Sequence, residues 1–219
     1  PVQELLEQRR IEAAPPVEGV RVYHLTAAYP RLNRDGKGAD RINRYYRALS
    51  AGYARRVDRS WRGPEGRRMR REGEDFSPRG FAMDSRVTLS DRHLFGLVRQ
   101  RETPPAGPAR QALFADCFDL KTGTPLGFDE VFVRPQAARE TALRTIVQQL
   151  EQRARLPGSR LHRRAAKIAQ RQFDRQCFWR DERGRFVFYY APGLLADADV
   201  GPMQFVMPAA FGEKYYGAP

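Results

Sequence analysis

The spacing of apolar residues alternates between a helical period and a strand-like period, and these changes outline the expected elements. Apolar residues recur at every third or fourth position over Ala39–Trp61, which predicts an amphipathic helix whose aromatic stripe packs in the core. The same spacing predicts a second helix over Gln136–Arg155, which Pro157-Gly158 ends. Ser159 is the expected cap of a third helix that runs to about Arg175.

The N-terminal segment is expected to hold a short helix followed by a strand. Residues 1–14 have a helix-favouring composition that ends at Pro15-Pro16, which predicts a leader helix. The stretch Val20–Ala28 alternates as a strand, with His24 on the same face as the two valines. We expect Tyr29-Pro30 to break this strand.

Further strands are predicted over short runs that alternate apolar and polar residues or are largely apolar, bounded by turn residues. These runs are Phe81–Leu89, His93–Arg101, Gln111–Leu120, Gln176–Trp179, Arg185–Tyr190 and Met203–Met207. The run Arg185–Tyr190 is apolar on both faces, which is typical of a central strand. Gly123 and Gly184 stand where hairpin turns require a positive φ angle.

The order of these elements predicts the fold class and the domain organisation. Helices separate groups of strands rather than following every strand, so we predict an α+β fold with a mainly antiparallel sheet packed against two to three helices. The expected divisions are a leader helix or linker (residues 1–19), an N-terminal α+β subdomain (20–110) and a C-terminal α+β subdomain packed on it (111–219).

Bulk composition fits a soluble globular chain. The 219 residues are 41% hydrophobic and 30% charged, and no apolar run approaches the ~20 residues of a membrane span. The chain begins at Pro1 rather than at Met, so we expect a longer parent protein whose upstream region could carry a membrane anchor.

The net charge of +13 points to an anionic partner, although its origin has two explanations. Only four of the 39 basic residues are lysines, and such an excess of arginine also arises from GC-rich coding. The densest basic run is the first candidate binding patch, whose residues are Arg55, Arg56, Arg59, Arg62, Arg67, Arg68, Arg70 and Arg71. A solvated helix end followed by a loop explains the same run without any ligand.

A second candidate binding segment is the loop Pro192–Gly201. It is rich in small residues that a core does not need, and it carries Asp197 and Asp199. An exposed loop with no ligand accounts equally for the two carboxylates.

The sequence contains no pattern of residues typical of a catalytic or metal centre. The three histidines lack a second ligand at metal-binding spacing, and no Gly-rich phosphate loop or Gly-x-Ser-x-Gly motif occurs. We therefore assign no catalytic residue, cofactor or metal. Cys117 and Cys177 either form a disulfide or remain two buried free thiols.

An ordered series of short motifs resembles a known family. It runs through Asp119–Gly123, Leu126–Phe132, Phe178-Trp179, Gly184, Phe186–Phe188, Pro192, Leu195-Ala196, Gly201 and Met207-Pro208. Upstream, Tyr29-Pro30 and Ile42-Asn43 are similar to the family's preceding segment. The series resembles the C-terminal extracytoplasmic domain of unknown function that lysozyme-sensing, sigma-V type anti-sigma factors share with some peptidoglycan deacetylases.

This resemblance implies a non-catalytic extracytoplasmic sensor or binding module of a bacterial envelope protein. Its expected ligand is an anionic cell-wall polymer or a protein. Lysozyme is disfavoured because it is cationic, like this chain. Gly193 replaces the tyrosine that the family usually has in its loop, so specificity is expected to differ.

Two other functions remain open. One is an enzyme acting on cell-wall glycans, with carboxylates that meet across a groove. The other is nucleic-acid binding through the arginine patch and a second basic surface over Arg160–Arg171, which the expected extracytoplasmic location disfavours.

Overall fold

A computed structural model describes residues 6–14, 16–17, 20–21, 23–63, 67, 79–104 and 107–216. The fold is α+β with a mostly antiparallel sheet, as predicted. The strands are β1 (Leu6–Ala13), β2 (Pro16–Val17), β3 (Val20–Arg21), β4 (Tyr23–Leu32), β5 (Arg79–Leu89), β6 (His93–Thr103), β7 (Arg110–Asp119), β8 (Phe178–Arg180), β9 (Phe186–Tyr190) and β10 (Met203–Val206). The helices are α1 (Lys37–Arg62), α2 (Phe128–Val131), α3 (Pro135–Ala154), α4 (Ala165–Arg171) and α5 (Ala209–Tyr215).

The predicted leader helix is wrong over the described residues. Residues 6–13 form β1, which pairs antiparallel with β4 so that Ile11 lies opposite Ala27. Helix propensity is a weak determinant in a segment this short, because an isolated helix of about a dozen residues is marginal in water. Pairing with β4 over the whole segment supplies backbone hydrogen bonds together with cross-strand side-chain contacts, which an isolated helix lacks.

The expected break at Tyr29-Pro30 is also wrong, since β4 continues to Leu32. β4 pairs with β5 only over Tyr23–Ala27, so Pro30 lies beyond the stretch where a missing N–H would interrupt that pairing. The alternation predicted for this strand is present. Tyr23, Leu25 and Ala27 are buried, whereas His24 is exposed.

Five strands form the larger sheet in the order β1-β4-β5-β6-β7. The β4–β5 pair is parallel because α1 lies between these strands in the chain, and a parallel pair requires such a long crossover connection. The predicted hairpin between β5 and β6 is present, with its turn at Ser90–Arg92.

The smaller sheet has the order β10-β9-β8, and the prediction of a central closing strand is confirmed. All five residues of β9 are buried. The Gly184 turn between β8 and β9 has a φ of 75°, the conformation expected of glycine there.

The first two predicted helices are confirmed as α1 and α3, whereas the third is shorter than expected. α4 begins at Ala165, and the preceding Leu161 instead forms a β-bridge with Ala196. The capping role expected of Ser159 is therefore wrong, since Arg164 occupies the cap position. The terminal helix α5 was not predicted, because its seven residues follow Pro208 with too few apolar positions to show a period.

The chain divides into two compact units. Unit 1 comprises residues 1–86, 98–111 and 120–123, and unit 2 comprises residues 87–97, 112–119 and 124–219. Each unit therefore draws on three separate stretches, whereas the expected subdomains meet at a single point of the sequence.

Unit 2 contains an aromatic core in which rings pack in edge-to-face and tilted arrangements. The centroids of Phe128 and Phe132 lie 4.5 Å apart, and those of Phe132 and Phe186 lie 4.9 Å apart. Phe211 of α5 joins this cluster. Such pairs contribute about 0.5–1.5 kcal/mol each beyond the area they bury.

Candidate functional site

The first helix separates its side chains into a buried apolar face and an exposed arginine face. Ile42, Tyr46 and Trp61 are among the buried residues. At about 100° per residue, Arg44, Arg55 and Arg62 point within about 20° of one another on the opposite face. All the arginines of α1 are exposed: Arg41, Arg44, Arg47, Arg55, Arg56, Arg59 and Arg62.

Specific hydrogen bonds fix the position of this helix within unit 1. The side-chain amide of Asn43 accepts a bond from Leu32 N (2.7 Å) and donates one to Leu32 O (3.0 Å). The Tyr53 hydroxyl donates to Ala82 O at 3.3 Å. These bonds join α1 to the end of β4 and to β5, so the arginines project from a fixed support.

The start of α1 packs tightly against the turn at residues 120–123. A β-carbon placed on Gly38 would lie 2.7 Å from Lys121 O, and one on Gly123 would lie 2.7 Å from Gly38 O. Gly123 also has a φ of 69°, which favours glycine. Arg41 donates to Thr122 O at 3.1 Å, so its guanidinium is committed to this turn.

A groove of about 480 Å³ lies where α1 meets β1 and β4. Its lining residues are Arg9, Tyr29, Arg31, Asp40, Asn43, Arg44 and Arg47. Two of the four arginines come from the strands and two come from the helix. Four guanidinium groups thus converge on one concavity, whose described lining residues include one carboxylate, that of Asp40.

Glu7 positions the two strand arginines of this groove. Its carboxylate lies 3.0 Å from Arg9 Nε and 3.9 Å from Arg31 Nη1. The pairing follows from the sheet register, which places Glu7 opposite Arg31. These ion pairs are exposed and contribute about 0–1 kcal/mol each to stability, so their main effect is on the orientation of the arginines.

A second basic concavity of about 460 Å³ lies near the end of the same helix face. Its lining residues are Arg55, Asp58, Arg59, Arg62 and Gly63. The Asp58 carboxylate accepts hydrogen bonds from Arg62 Nε (2.8 Å) and from the Tyr23 hydroxyl (2.7 Å). The hydrogen bond from Arg62 holds the pKa of Asp58 below its usual value, so the carboxylate remains charged at neutral pH. It is already bonded to Arg62 and Tyr23.

The predicted arginine patch is only partly brought together. Arg55, Arg59 and Arg62 line one concavity, whereas Arg56 donates to Gln100 Oε1 (2.9 Å) and lies over the Tyr53 ring. Arg67 is exposed. The other predicted members, Arg68, Arg70 and Arg71, lie outside the described residues.

The two aspartates of the predicted binding loop form ion pairs with Arg160. Arg160 donates to Asp199 at 2.5 and 2.7 Å and to Asp197 at 3.1 and 3.2 Å. Backbone bonds run alongside, from His162 N to Leu195 O (2.9 Å) and from Asp197 N to Arg160 O (3.3 Å). Asp197 and Asp199 thus form an internal clasp with Arg160, and their proposed role in binding stays a prediction.

Sequence reasoning missed the four arginines of the first groove. Arg44 and Arg47 could have been found, because their spacing from the buried stripe places them on the polar face of the predicted helix. Arg9 and Arg31 had no such signal. Arg9 lay in a segment predicted to be helical, and Arg31 followed a predicted strand end.

The cysteines and other titratable groups offer no activated nucleophile among the described residues. Cys117 and Cys177 are both free thiols. Burial is the main cause that raises the pKa of Cys117 well above its usual value and that of Cys177 to about 11, so both stay protonated at neutral pH. No trio of His, Cys, Asp or Glu in the described part of the chain could hold a metal ion.

Within the same described ranges, no helix is both long enough and apolar enough to cross a membrane.

Solved structures with the same fold exist at low sequence identity. A DUF3298 family member from Bacteroides fragilis superposes with a TM-score of 0.65 and 16% identity, covering 97% of this chain and 93% of that chain. A DUF3298 family protein from Pseudomonas aeruginosa gives a TM-score of 0.58 and 11% identity, covering 97% of this chain and 94% of that chain. At these identities the likeness shows the fold alone. No model of a known protein family matches the chain, and no curated protein matches it.

Proposed function

We propose that this chain is a non-catalytic, extracytoplasmic binding module of a bacterial envelope protein and that its ligand is an anionic cell-wall polymer. The observation that carries this proposal is the groove between α1, β1 and β4, in which four arginines surround a concavity of about 480 Å³. The extracytoplasmic location and an anti-sigma-like parent protein rest on the resemblance of the motif series.

The chemistry of the groove suits phosphate or carboxylate groups. A guanidinium group presents donors in a planar fork that matches both anions, and it remains charged at every physiological pH. Glu7 and Asn43 hold the supporting elements in place before any ligand arrives, which lowers the ordering cost of binding. A concave groove also favours an extended polymer over a flat anionic surface.

A protein ligand is the alternative occupant, and the groove restricts its character. The contacting surface would need to be acidic, because like charges across an interface reduce both the association rate and the affinity. A strongly cationic protein such as lysozyme does not satisfy this requirement.

Binding to purified cell-wall polymer, measured by pull-down at increasing salt concentration, tests the proposal. We expect the Arg44→Glu/Arg47→Glu variant to lose most of the bound fraction at ~150 mM salt, because two cationic contacts become repulsive. Arg183→Glu/Arg171→Glu is the matched control, since it changes net charge equally at two exposed positions of unit 2.

Three outcomes would contradict the proposal. The first is equal retention by the groove variant and its control, which would mean that net charge alone drives binding. The second is tighter binding to single-stranded DNA than to wall polymer at ~150 mM salt, which would favour a nucleic-acid ligand. The third is release of reducing ends from wall glycan by the purified chain, which would indicate an enzyme.

A further inference from the structure

We infer that the ligand is a linear polyanion that lies along α1 and contacts two separate arginine clusters at once. The inference rests on the proposed function and makes it more specific. The first cluster, named cluster 1, contains the groove residues Arg9, Arg31, Arg44 and Arg47. The second, named cluster 2, contains Arg55, Arg59 and Arg62.

The helical repeat places both clusters on one face of α1. Arg44 and Arg62 are 18 residues apart, which is about five full turns, so their side chains leave the helix in nearly the same direction. The gap between Arg47 and Arg55 corresponds to about 12 Å along the helix axis, and Arg44 to Arg62 to about 27 Å. A ligand that reaches both clusters must therefore be longer than a single phosphate or carboxylate group.

Short side chains cover the outward face of α1 between the two clusters. The positions that face outward there are Ala48, Ala51 and Gly52, none of which projects a long side chain. Gly52 has no packing reason to be glycine, because an added β-carbon would meet nothing closer than Arg55 Nη2 at 4.0 Å. Glycine inside a helix costs about 1 kcal/mol relative to alanine. Close approach of a ligand chain to the helix backbone explains this otherwise unfavourable residue.

The helix carboxylates do not interrupt the positive surface between the clusters. Asp40 lines the groove of cluster 1 and precedes its helix arginines in the chain, so it lies on the side away from cluster 2. Asp58 lies within cluster 2, where it accepts hydrogen bonds from Arg62 and from the Tyr23 hydroxyl. Two other arginines of α1 are directed elsewhere, Arg41 to Thr122 O and Arg56 to Gln100. The remaining exposed guanidinium groups thus separate into two clusters with a neutral stretch between them.

When one ligand chain is bound at the first cluster, its contact with the second cluster is intramolecular. Each cluster alone is exposed and screened by salt, so a short anion binds weakly. Once a long chain occupies one cluster, its local concentration at the other is high, and linked contacts of this kind strengthen binding by roughly 10²–10⁴-fold. We therefore expect affinity to rise in a step when chain length becomes sufficient to span the gap.

Inorganic polyphosphate of defined chain lengths is a suitable probe, with binding to the whole chain measured by titration calorimetry at ~150 mM salt. We expect affinity to increase by roughly 100-fold or more between chains shorter and longer than the gap, with one long chain bound per protein. Arg44→Gln/Arg47→Gln and Arg55→Gln/Arg59→Gln should each abolish this step. Combining the two pairs should lower long-chain affinity little further, because either pair alone already prevents bridging.

Ala48→Gln tests the path between the clusters without changing any charge. A bulkier side chain there should reduce long-chain affinity while leaving the affinity of short chains unchanged. Circular dichroism spectra and melting temperatures of all variants confirm that each is folded.

Several results would overturn the inference. Affinity that rises smoothly with phosphate number, or pair variants whose effects simply add, would indicate independent sites and would leave the proposed function standing. Tighter binding to vesicles of anionic phospholipid than to the longest polyphosphate would indicate a membrane surface instead. Absence of binding to both polyphosphate and wall polymer at ~150 mM salt would refute the inference and the proposed function together.

Discussion

His93 belongs to a small, partly buried hydrogen-bond network in unit 2. Its Nδ1 atom lies 2.9 Å from the Tyr216 hydroxyl, which in turn lies 2.7 Å from Ser90 Oγ. The ring also packs against Phe95 at 6.1 Å between centroids. Burial, together with the nearby charge of Arg92, lowers the pKa of His93 below its usual value.

This lowered pKa predicts a stability change on mild acidification. The folded state favours neutral imidazole, so the unfolded state binds more protons as the pH falls below about 6.5, and the free energy of unfolding decreases. We expect chemical denaturation between pH 7 and pH 5 to show this loss, and we expect the His93→Gln variant to show a smaller one. An NMR titration that placed the His93 pKa above 6.5 would contradict the prediction.

Gly38 and Gly52 lie on the same helix, yet we expect an added methyl group to change the free energy of unfolding in opposite directions at the two positions. In Gly38→Ala the β-carbon meets backbone carbonyls of residues 120 and 121, which cannot move aside freely, so we expect a loss of about 1–3 kcal/mol. In Gly52→Ala the β-carbon meets only the mobile end of Arg55, at 4.0 Å, so we expect a gain of about 0.5–1 kcal/mol. Urea denaturation midpoints measure both changes, and a stable Gly38→Ala variant would mean that the turn does not pack on α1 as described.

The loop Pro192–Gly201 is held at two points: Leu195 and Ala196 are buried in the core of unit 2, and the Arg160 clasp fixes the two exposed aspartates. Sequence analysis located this loop but predicted a helix from Ser159 onward, so the arginine that pairs with its aspartates was assigned to a helix face. A helical period cannot reveal that Leu161 bridges to Ala196, because that contact joins residues far apart in the chain.

Replacing Arg160 with glutamine should loosen the loop locally without unfolding unit 2. The clasp is exposed, so we expect almost no change in melting temperature, but faster hydrogen exchange at the amides of His162 and Asp197. Hydrogen bonds from Arg160 hold the pKa of Asp199 below its usual value, so acidification below pH 3.8 should reproduce the effect in the unaltered chain as the carboxylate is protonated. Arg183→Gln is the matched control, and a large drop in its melting temperature or in that of Arg160→Gln would contradict this account.

The elements that were predicted correctly are those in which local pattern and tertiary environment agree. In α1 and β9 the residues that are buried in the structure are also the apolar residues of the local pattern, so the sequence alone indicates which face is buried. β1 fails this test, because residues 6–13 are polar enough for a solvated helix and become a strand only through pairing with β4. The same failure concealed the arginine groove, since Arg9 reaches it only from that strand.

The two compact units could not have been located from composition. Three of their boundaries fall inside the strands β5, β6 and β7, so no loop or linker marks the change of unit there. The charge of +13 likewise says little by itself. The proposed function rests instead on the division of the α1 arginines between two concavities on one face of the helix.

The contact between Gly38 and the 120–123 turn limits how this protein can be cut into expressible fragments. A fragment that stopped at residue 110 would retain α1 but would lose the turn against which Gly38 packs, together with the Thr122 carbonyl that Arg41 contacts. Gly38, which is buried at the start of α1 in the intact chain, would then face water. Fragment design should therefore keep residues 120–123 with the first helix, or add them back as a separate peptide and measure whether the two pieces reassociate.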